Sequence, residues 1–587
     1  MDVKFQDTQA NTTKQLNSSK QTFHRKPSEI FSVAEAVVKI LEDMGVQYAF
    51  GVSGGAIAPV WAALHQSSIQ VLHFRHEAGA AFAAIEAYFA SDRPVVVFTT
   101  TGPGITNALT GLLAARWEGA KVIFVSASTS APQRGRWAFQ ETSAYTMPCT
   151  SIMSSGQIFH YATTVECSDE LTEISRRLAL GLVQPGGLVA YLSISTNIQT
   201  SLLTTSLPRV TLSETVATAS EETIAECVRL LTEGPFVIWV GFGARDAAEE
   251  IRQLAERTGA AVMCSPRGKG IFSEDHPQFV GVTGFAGHKS VLTYMQEYYP
   301  LHTLVLGTRL GEFTSFWNST MIPQRRFLHI DIDPDVPGAA YPDAKTFAIQ
   351  SDVKEFMKEL LKHFSVSNSC PTGVTLPRPE LDLIKPCTGS LVRPKVLMDM
   401  IQQVIVEGSD AVVMAESGNS FAWAIHHLRF TQPGRFRVST GFGSMGHFVT
   451  GIVGAALVRN SKAVAIVGDG AMLMNNEIST AVQHQISAVW IVLNDSRYNM
   501  CDQGLTLLNF KGVDAKITPT NFVEIAQAMG ADGIRVEKES DIQVALEKAM
   551  AASSPFVVDV LIDPTHIPPS ESRNQSLISQ GAKTIIN

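Results

Sequence analysis

The stretch that decides the fold runs from Lys462 to Gln503 and reads KAVAIVGDGAMLMNNEISTAVQHQISAVWIVLNDSRYNMCDQ. It opens with an apolar run, Ala463–Val467, which leads directly into Gly468-Asp469-Gly470. A helical pattern follows over roughly residues 475–486, and a second apolar run, Ala488–Leu493, comes after it. A strand, a helix and a strand of these lengths form a βαβ unit, so we expect the two strands to be parallel and close in one sheet.

Each of the two predicted strands ends in an aspartate. Asp469 lies in the Gly-Asp-Gly turn after the first strand, and Asp495 follows Asn494 after the second. Ligands of parallel sheets bind beyond the carboxyl ends of the strands, and magnesium prefers a few carboxylates or carbonyls together with phosphate oxygens. Glycines let the backbone turn and approach a phosphate closely. The sequence therefore predicts a magnesium–diphosphate site, although Gly-Asp-Gly by itself also fits an ordinary turn.

Composition restricts the class of protein. A chain of 587 residues is too long for one core and predicts three or four domains. A hydrophobic fraction of 45% and a charged fraction of 17% are typical of a soluble globular protein. The net charge of −9 without basic runs argues against nucleic acid, and no apolar run is long enough to span a bilayer. Seven scattered cysteines without a Cys-x-x-Cys pair indicate a reducing compartment, so we expect a cytoplasmic protein that binds neither membrane nor nucleic acid.

Strand patterns alternate with helical patterns along most of the chain, and Gly-rich turns follow several of the strands. This alternation predicts an α/β fold with three doubly wound parallel-sheet domains. The C-terminal Pro/Ser-rich segment either folds over the site or is disordered. The predicted divisions are a disordered tail at residues 1–27, domains at 28–200, 215–365 and 390–570, and a C-terminal tail at 571–587.

Four motifs carry a resemblance to a known family. RHEAGAAFAA at residues 75–84, TGPGITN at 101–107, AFQE at 138–141 and Gly-Asp-Gly followed by Asn494-Asp495 occur in this order. Together they resemble the thiamine diphosphate (ThDP)-dependent enzymes of the acetolactate synthase and pyruvate oxidase group. The resemblance covers roughly residues 28–570 and implies a pyrimidine-binding, a central and a diphosphate-binding domain. One departure is that the second Asn of the family signature is Asp495 here.

The resemblance assigns roles to individual residues. It implies that Glu77 contacts N1′ of the cofactor's aminopyrimidine and that the Gly443 carbonyl accepts a hydrogen bond from the 4′-amino group. It also implies that Met445 is an apolar wedge between the two rings of the cofactor. Gln140 is retained from the acetolactate synthase pattern and joins the catalytic set. The alternatives are a helix-start carboxylate for Glu77 and core packing for Met445. The remaining implied cofactor contacts are Gly54, Gly55, Gly418, Asn419, Ser420, Gly468, Asp469, Gly470, Ala471 and Asp495. The implied magnesium ligands are Asp469, Asp495 and the backbone carbonyl of Arg497.

Two features of acetolactate synthases are missing from the sequence. The Met-His-Gly and Phe-Asp-Asp-Arg segments of flavin-bearing members are replaced by Phe285-Ala286-Gly287 and Leu310-Gly311-Glu312-Phe313, which implies that FAD is not bound. The Arg of the second segment, which recognises the carboxylate of the second 2-oxo acid, is lost with it. The Trp that follows the metal-binding segment is also absent, because Met500-Cys501-Asp502-Gln503-Gly504 stands there.

These features imply a carboligase that joins two 2-oxo acids. The pattern is similar to that of scytonemin-type acyloin synthases, which implies bulky or aromatic substrates in specialised metabolism. Acetolactate synthase proper, a simple 2-oxo acid decarboxylase or oxidase, and a non-catalytic ThDP-binding regulatory relative remain alternatives. The resemblance also implies a homodimer or tetramer in which Glu77 of one subunit and Asp469 of another act across an interface.

Overall fold

The computed structural model describes residues 31–143, 145, 153–204, 206, 216–364, 375–380, 391–510 and 512–582. Within them the chain forms three parallel six-stranded sheets with flanking helices, which confirms the predicted α/β class. The predicted N-terminal tail and parts of both interdomain linkers lie outside the described residues. Among the helices that the structure describes, none is long and apolar enough to cross a membrane.

The first sheet has the strand order β2-β1-β3-β4-β6-β5. Its strands are β1 Tyr48–Val52, β2 Gln70–His73, β3 Val95–Thr99, β4 Lys121–Ser128, β5 Tyr161–Val165 and β6 Leu188–Ser195. The accompanying helices are α1 Val33–Asp43, α2 Ala58–His65, α3 Glu77–Ser91, α4 Pro103–Glu118, α5 Leu171–Val183 and α6 Thr196–Gln199. Ser32 caps α1 and exchanges hydrogen bonds with Glu35, because a Ser and a Glu at this spacing satisfy each other's free backbone N–H groups.

The second sheet has the order β12-β11-β10-β7-β8-β9. Its strands are β7 Phe236–Val240, β8 Ala261–Cys264, β9 Phe279–Val282, β10 His302–Leu306, β11 Arg326–Asp331 and β12 Thr346–Gln350. The helices are α7 Glu221–Leu231, α8 Ala248–Thr258, α9 Lys289–Tyr298, α10 Glu312–Ser315 and α11 Val353–Leu361. The five residues of β7 and of β10 are all buried, as expected for central strands covered by helices on both faces.

The third sheet has the order β14-β13-β15-β16-β18-β17. Its strands are β13 Val412–Ala415, β14 Phe436–Val438, β15 Ala463–Gly468, β16 Ala488–Asn494, β17 Asp532–Val536 and β18 Phe556–Leu561. The helices are α12 Pro394–Ile401, α13 Asn419–His427, α14 His447–Arg459, α15 Asp469–Met472, α16 Ile478–Gln483, α17 Asn499–Leu507, α18 Phe522–Ala528, α19 Ile542–Ala551 and α20 Glu571–Ser579. Each of the three sheets lies inside one predicted domain range, while the domain boundaries themselves stay a prediction.

The βαβ unit predicted from the opening stretch is present. β15 and β16 are parallel neighbours, with Gly468 paired to Leu493 at their carboxyl ends. The connecting helix is shorter than predicted, since a turn of helix, α15, follows β15 at once and α16 begins only at Ile478. Asn475 accounts for the late start: its side-chain oxygen accepts the backbone N–H of Glu477, a local bond that competes with the helical pattern.

Helices α3 and α14 pack against each other and join the first domain to the third. They are antiparallel, because Ala83 lies against Gly454 while Glu86, farther along α3, lies against His447 at the start of α14. A side chain at Gly454 would overlap the backbone carbonyl of Ala83, so the glycine permits the close approach of the two helices.

A buried ionic network fixes this helix pair. Arg437 donates to both carboxylate oxygens of Glu86 at 2.9 and 2.8 Å, and His447 Nε2 lies 3.0 Å from the same carboxylate. Burial alone raises the pKa of Glu86, but the Arg437 guanidinium and His447 together lower that pKa to about 2. A buried charge that loses its partner is strongly destabilising, so the network constrains how the two domains meet.

We expect R437M to lower the free energy of unfolding by about 3–5 kcal/mol, because it leaves the Glu86 carboxylate buried without its main counter-charge. The matched control is R252M, which removes an exposed ion pair with Glu249 and Glu256 and should cost less than about 1 kcal/mol. Urea unfolding monitored by circular dichroism measures both values. Equal losses in the two variants would show that the buried network does not stabilise the domain contact.

The same network predicts how stability depends on pH. The pKa of Glu86 in the folded protein, about 2, lies below its ordinary value of 4.5. The stabilisation from its carboxylate is therefore complete above about pH 4.5 and is lost as the pH falls through about 2. In R437M this acid-sensitive part of the stability should be smaller than in the wild type.

Candidate functional site

Several of the predicted site segments meet at the carboxyl edge of the third sheet. The neighbouring strands β13, β15 and β16 end there, and each is followed by residues that the sequence singled out. The loop after β14 reaches the same edge and leads into α14. These segments are Gly418–Ser420, Gly468–Ala471, Asp495–Arg497 and Gly441–Gly446.

Asp469 and Asp495 lie side by side at this edge. Asp469 is only 3% exposed, and its Oδ1 accepts the N–H of Gly470 at 2.7 Å. Its Oδ2 accepts the N–H groups of Asp495 at 3.1 Å and of Ser496 at 2.6 Å, which ties the two strand ends together. Asn499 Nδ2 donates to Asp495 Oδ2 at 2.5 Å and fixes the second carboxylate from α17.

The two carboxylates crowd each other electrostatically. Burial raises the pKa of Asp469, although backbone N–H groups counteract that rise. Burial and the nearby charge of Asp469 raise the pKa of Asp495 to about 7. Two partly desolvated carboxylates in contact favour a bound cation, and an all-oxygen donor set with the Arg497 carbonyl suits magnesium. The donor chemistry of the site therefore fits the predicted metal.

Glycines shape the loop that carries Met445. The φ angles of Gly443 and Gly446 are 64° and 91°, conformations that residues with a side chain rarely adopt. Met445 is 39% exposed, so packing in the core does not describe it. Beneath the loop the buried carboxylate of Glu416 accepts from Phe448 N and caps α14, a role that the sequence analysis did not identify.

The segment after β13 lies beside the aspartates. Gly418 has a φ of 130°, and no atom of the described residues lies within 4 Å of the position that a side chain would take there. Asn419 Nδ2 donates to Gln503 Oε1 at 3.2 Å, while its buried Oδ1 lacks a hydrogen-bond partner among the described residues. Ser420 is turned inward, and its hydroxyl donates to the Glu416 carbonyl at 2.7 Å. An unsatisfied polar atom beside the two carboxylates is consistent with a site that receives a polar ligand.

Other predicted residues lie at the carboxyl edge of the first sheet. Glu77 begins α3, is 8% exposed, and its Oε2 accepts from Asn107 Nδ2 at 3.1 Å. Gly54 and Gly55 follow β1, and a side chain on Gly54 would overlap Thr100. Asn107 was quoted in the TGPGITN motif, but its contact with Glu77 could not be read from the sequence.

Gln140 belongs to a strained loop at the same edge. The φ angles of Trp137 and Gln140 are 58° and 53°, and the Glu141 carboxylate accepts from Gly135 N at 2.5 Å and Ser143 Oγ at 2.6 Å to hold the loop. A cavity of about 450 Å³ lies next to this loop. It is lined by Ala56, Thr101, Ser128, Thr129, Ser130, Gln133, Ala138, Phe139, Thr196, Asn197 and Thr200.

Among the described residues of one chain, Glu77 and the Met445 loop lie apart. Glu86 contacts His447 near the Met445 loop, and Glu77 lies nine residues earlier on α3, a separation of about 13 Å along the helix. The start of α3 is instead covered by Glu477, whose carboxylate accepts from Arg75 N and His76 N at 3.1 Å. Sequence reasoning missed Glu477, because its partners lie about 400 residues away in the chain.

Aromatic side chains occupy the segments that replace the flavin motifs. Phe285 is fully buried, and its ring centroid lies 5.0 Å from Phe313 and 4.9 Å from Phe421. Phe313 stands where the family motif has an arginine. The central domain and α13 of the third domain are therefore joined here by a stack of phenylalanines.

The C-terminal segment folds back over α17 and α10. Gln503 Nε2 donates to the His566 carbonyl at 3.2 Å, and α20 then runs from Glu571 to Ser579. Ser576 and Gln580 on α20 both donate to the Glu312 carboxylate of α10. The sequence left open whether this segment is folded or disordered, and the structure describes it as folded through residue 582.

Comparison with known proteins gives the family. Residues 31–147 match the N-terminal TPP-binding domain of thiamine pyrophosphate enzymes, residues 225–360 match their central domain, and residues 416–560 match their C-terminal TPP-binding domain. These three matches cover about two thirds of the chain in the family's order.

Full-length relatives agree with these matches. The chain is 27% identical to the acetolactate synthase isozyme 2 large subunit of Escherichia coli (strain K12), over 93% of this chain and 99% of that protein. It is 28% identical to the acetolactate synthase of Mycobacterium bovis, over 90% of this chain and 88% of that protein. A Rhodococcus jostii RHA1 thiamine diphosphate-dependent 4-hydroxybenzoylformate decarboxylase has the same fold, with a TM-score of 0.77 and 18% identity over 91% of this chain and 99% of that one. The chain belongs to the thiamine diphosphate-dependent enzymes of the acetolactate synthase and pyruvate oxidase group.

Proposed function

We propose that this protein decarboxylates one 2-oxo acid and joins the remaining acyl group to the keto carbon of a second, with ThDP and Mg²⁺ as cofactors. The products are CO₂ and a 2-hydroxy-3-oxo acid, so the activity is that of an acyloin-forming transferase or lyase. The observation that carries the proposal is the pair of crowded carboxylates, Asp469 and Asp495, beside the exposed Met445. When bound, ThDP supplies a nucleophilic carbon and accepts the electrons released with CO₂.

The third domain holds the charged end of the cofactor in this proposal. Asp469, Asp495 and the Arg497 carbonyl would hold Mg²⁺, whose charge would offset that of the two crowded carboxylates and the diphosphate. The turns at Gly418 and at Gly468–Ala471 follow β13 and β15 at that edge, and their backbone N–H groups that do not bind Asp469 would bind phosphate oxygens. Asn419 and Ser420 complete the diphosphate-binding part of the site in this proposal. The unsatisfied Asn419 Oδ1 supports a polar contact between this side chain and the cofactor.

Residues of two domains would hold the aminopyrimidine ring of ThDP in this proposal. Gly443 provides a carbonyl acceptor for the 4′-amino group, and the exposed Met445 side chain supports the ring face. Glu77 shares a proton with N1′ and is oriented by Asn107. Gly54, Gly55 and Gln140 lie at the same edge of the first sheet as Glu77, next to the 450 Å³ cavity, which leaves room for the acceptor molecule.

We propose that each complete site is shared by two subunits. Within one chain the antiparallel α3–α14 pair separates Glu77 from Met445, so a single chain does not bring both to one cofactor. A two-fold-related second copy brings Glu77 of one subunit to the third domain of the other and generates two equivalent sites. The minimum active unit in this proposal is a homodimer.

The central domain carries no FAD in this proposal, and the substrates are bulky. The stack of Phe285, Phe313 and Phe421 occupies the segments that replace the flavin motifs. An apolar wall at Phe313 instead of an arginine favours large apolar side chains over a methyl group. Acetolactate synthase proper is the alternative that the relatives' names suggest.

The reaction is tested with ThDP, Mg²⁺ and a panel of paired 2-oxo acids, followed by mass spectrometry of the products. Aromatic or long-chain 2-oxo acids should outcompete pyruvate as donor or acceptor, and the purified protein should lack flavin absorbance near about 450 nm. A yellow protein that forms acetolactate from pyruvate more efficiently than any product of a bulky pair would identify acetolactate synthase proper. Aldehyde as the only product would identify a simple decarboxylase.

The metal site is tested with D469A and D495N. D469A removes a carboxylate and the acceptor that ties the two strand ends, so the affinity for ThDP in the presence of Mg²⁺ should fall by more than about tenfold. D495N keeps an oxygen ligand and relieves the crowding with Asp469, so it should retain most of the affinity. Fluorescence titration of the apoprotein measures both. A loss in D495N as large as that in D469A would show that the site depends on the second charge.

Glu77 and the shared site are tested together. E77Q should bind ThDP nearly normally but lose turnover by orders of magnitude, because an amide cannot share a proton with N1′. The control E173Q changes an exposed glutamate of the same domain and should leave the turnover unchanged. Co-refolding E77Q with D469A at equal amounts should restore about a quarter of the wild-type activity, since mixed dimers contain one intact site. No recovery in dimers shown to be mixed would place both residues in the same subunit's site.

A further inference from the structure

We infer that Arg573, on the C-terminal helix α20, binds the carboxylate of the acceptor 2-oxo acid. The inference rests on the proposed function and adds a specificity-determining residue to it. It concerns the place where α20 crosses between α17 of the third domain and α10 of the central domain.

The first observation is the position of the guanidinium. A Cβ atom on Gly504 would lie 3.6 Å from Arg573 Nη1, so the charged group lies directly against the backbone of α17 at this buried glycine. Gly504 is five residues along α17 from Asn499, a rise of about 7.5 Å, and Asn499 holds the Asp495 carboxylate. The cation therefore lies close to the metal edge of the site without contacting the aspartates that we assign to the metal.

The second observation is how firmly α20 is held. Ser576 and Gln580 are three and seven residues after Arg573 and share its face of the helix. Both donate to Glu312, the residue next to Phe313. On the N-terminal side, the carbonyls of Pro564 and His566 accept from Asn499 and Gln503 of α17. Contacts on both sides of Arg573 thus place its side chain between the two helices.

The third observation is that this cation is available. Among the described residues, Arg573 makes no hydrogen bond or ion pair. Arg497, which precedes α17, has an anionic neighbour by contrast: it donates to Asp502 at 3.2 Å. A guanidinium that is ordered but unpaired matches the planar, two-oxygen geometry of a carboxylate.

The reaction requires such a group. The donor loses its carboxylate as CO₂, whereas the acceptor keeps its own, so one anionic group must be recognised in the complex that forms the new carbon–carbon bond. The neighbouring third-domain residues Glu416, Asp469 and Asp495 are acidic, and Phe313 supplies no charge. Arg573 offers a positive charge for the carboxylate of the acceptor, from helix α20, which lies against Gly504.

The test compares two acceptors with one fixed donor: the acceptor 2-oxo acid that the panel shows to be preferred, and the aldehyde with the same side chain. R573Q should raise KM for the acid by roughly 10- to 100-fold, the loss expected for a charge-assisted hydrogen bond, and leave KM for the aldehyde unchanged. R573K should retain part of the affinity for the acid. ThDP affinity, measured by fluorescence titration, should match that of the wild type.

The control is E571Q, which changes an exposed residue on the other side of α20 and should alter neither KM. An equal rise in KM for the acid and the aldehyde would show that Arg573 has only a structural role. Weaker ThDP binding in R573Q would show that Arg573 binds the diphosphate. Either result overturns the inference. If the wild type ligates two acids and R573Q has an unchanged KM for the acid, the role of Arg573 is rejected and the proposed function stands. A wild type that releases CO₂ but never ligates two acids rejects the proposed function as well.

Discussion

The antiparallel contact between α3 and α14 is the constraint on which the rest of the structure depends. It is held by Glu86, Arg437 and His447 in a region where an unpaired charge would be costly. The contact joins the first and third domains, and it also determines where their reactive edges lie. Glu77 begins one helix and the Met445 loop precedes the other, so the pairing directs them to opposite ends. A second subunit is therefore part of the proposed chemistry and not only of the assembly.

The carboxyl edge of the third sheet illustrates how local sequence and long-range packing combine. The parallel pairing of β15 and β16 brings Asp469 and Asp495 together, and the N–H groups of Asp495 and Ser496 hold the first carboxylate in place. Mutual repulsion and burial then raise the pKa of Asp495 to about 7. A site that is unfavourable for its own side chains is suited to a divalent cation, which relieves that repulsion on binding.

The sequence predicted what short-range patterns control. Apolar runs and the turns after them predicted the three sheets, because these signals act within a few residues. The predicted helix over residues 475–486 was wrong in length, since one side-chain bond from Asn475 displaced its start. Glu477 and α20 were not predictable, because their partners at Arg75 and Glu312 are separated from them by hundreds of residues. The order of the C-terminal segment follows from contacts that exist only after the domains have assembled.

The departures from the acetolactate synthase pattern are clustered in space. Phe313, on α10, stands where that pattern has an arginine, and the segment Met500–Gly504, on α17, stands where it has a tryptophan. Helix α20 bridges these two helices: Gln580 near its C-terminal end donates to Glu312, and the guanidinium of Arg573 near its N-terminal end lies against Gly504. A side chain at residue 504 would lie against the Arg573 guanidinium, so the glycine leaves room for that cation. In the proposed acceptor site, Phe313 adds no competing positive charge. Gly504, Phe313 and Arg573 are thus physically compatible with the proposed acceptor site, in which the cation lies on the C-terminal helix and α10 offers an apolar side chain.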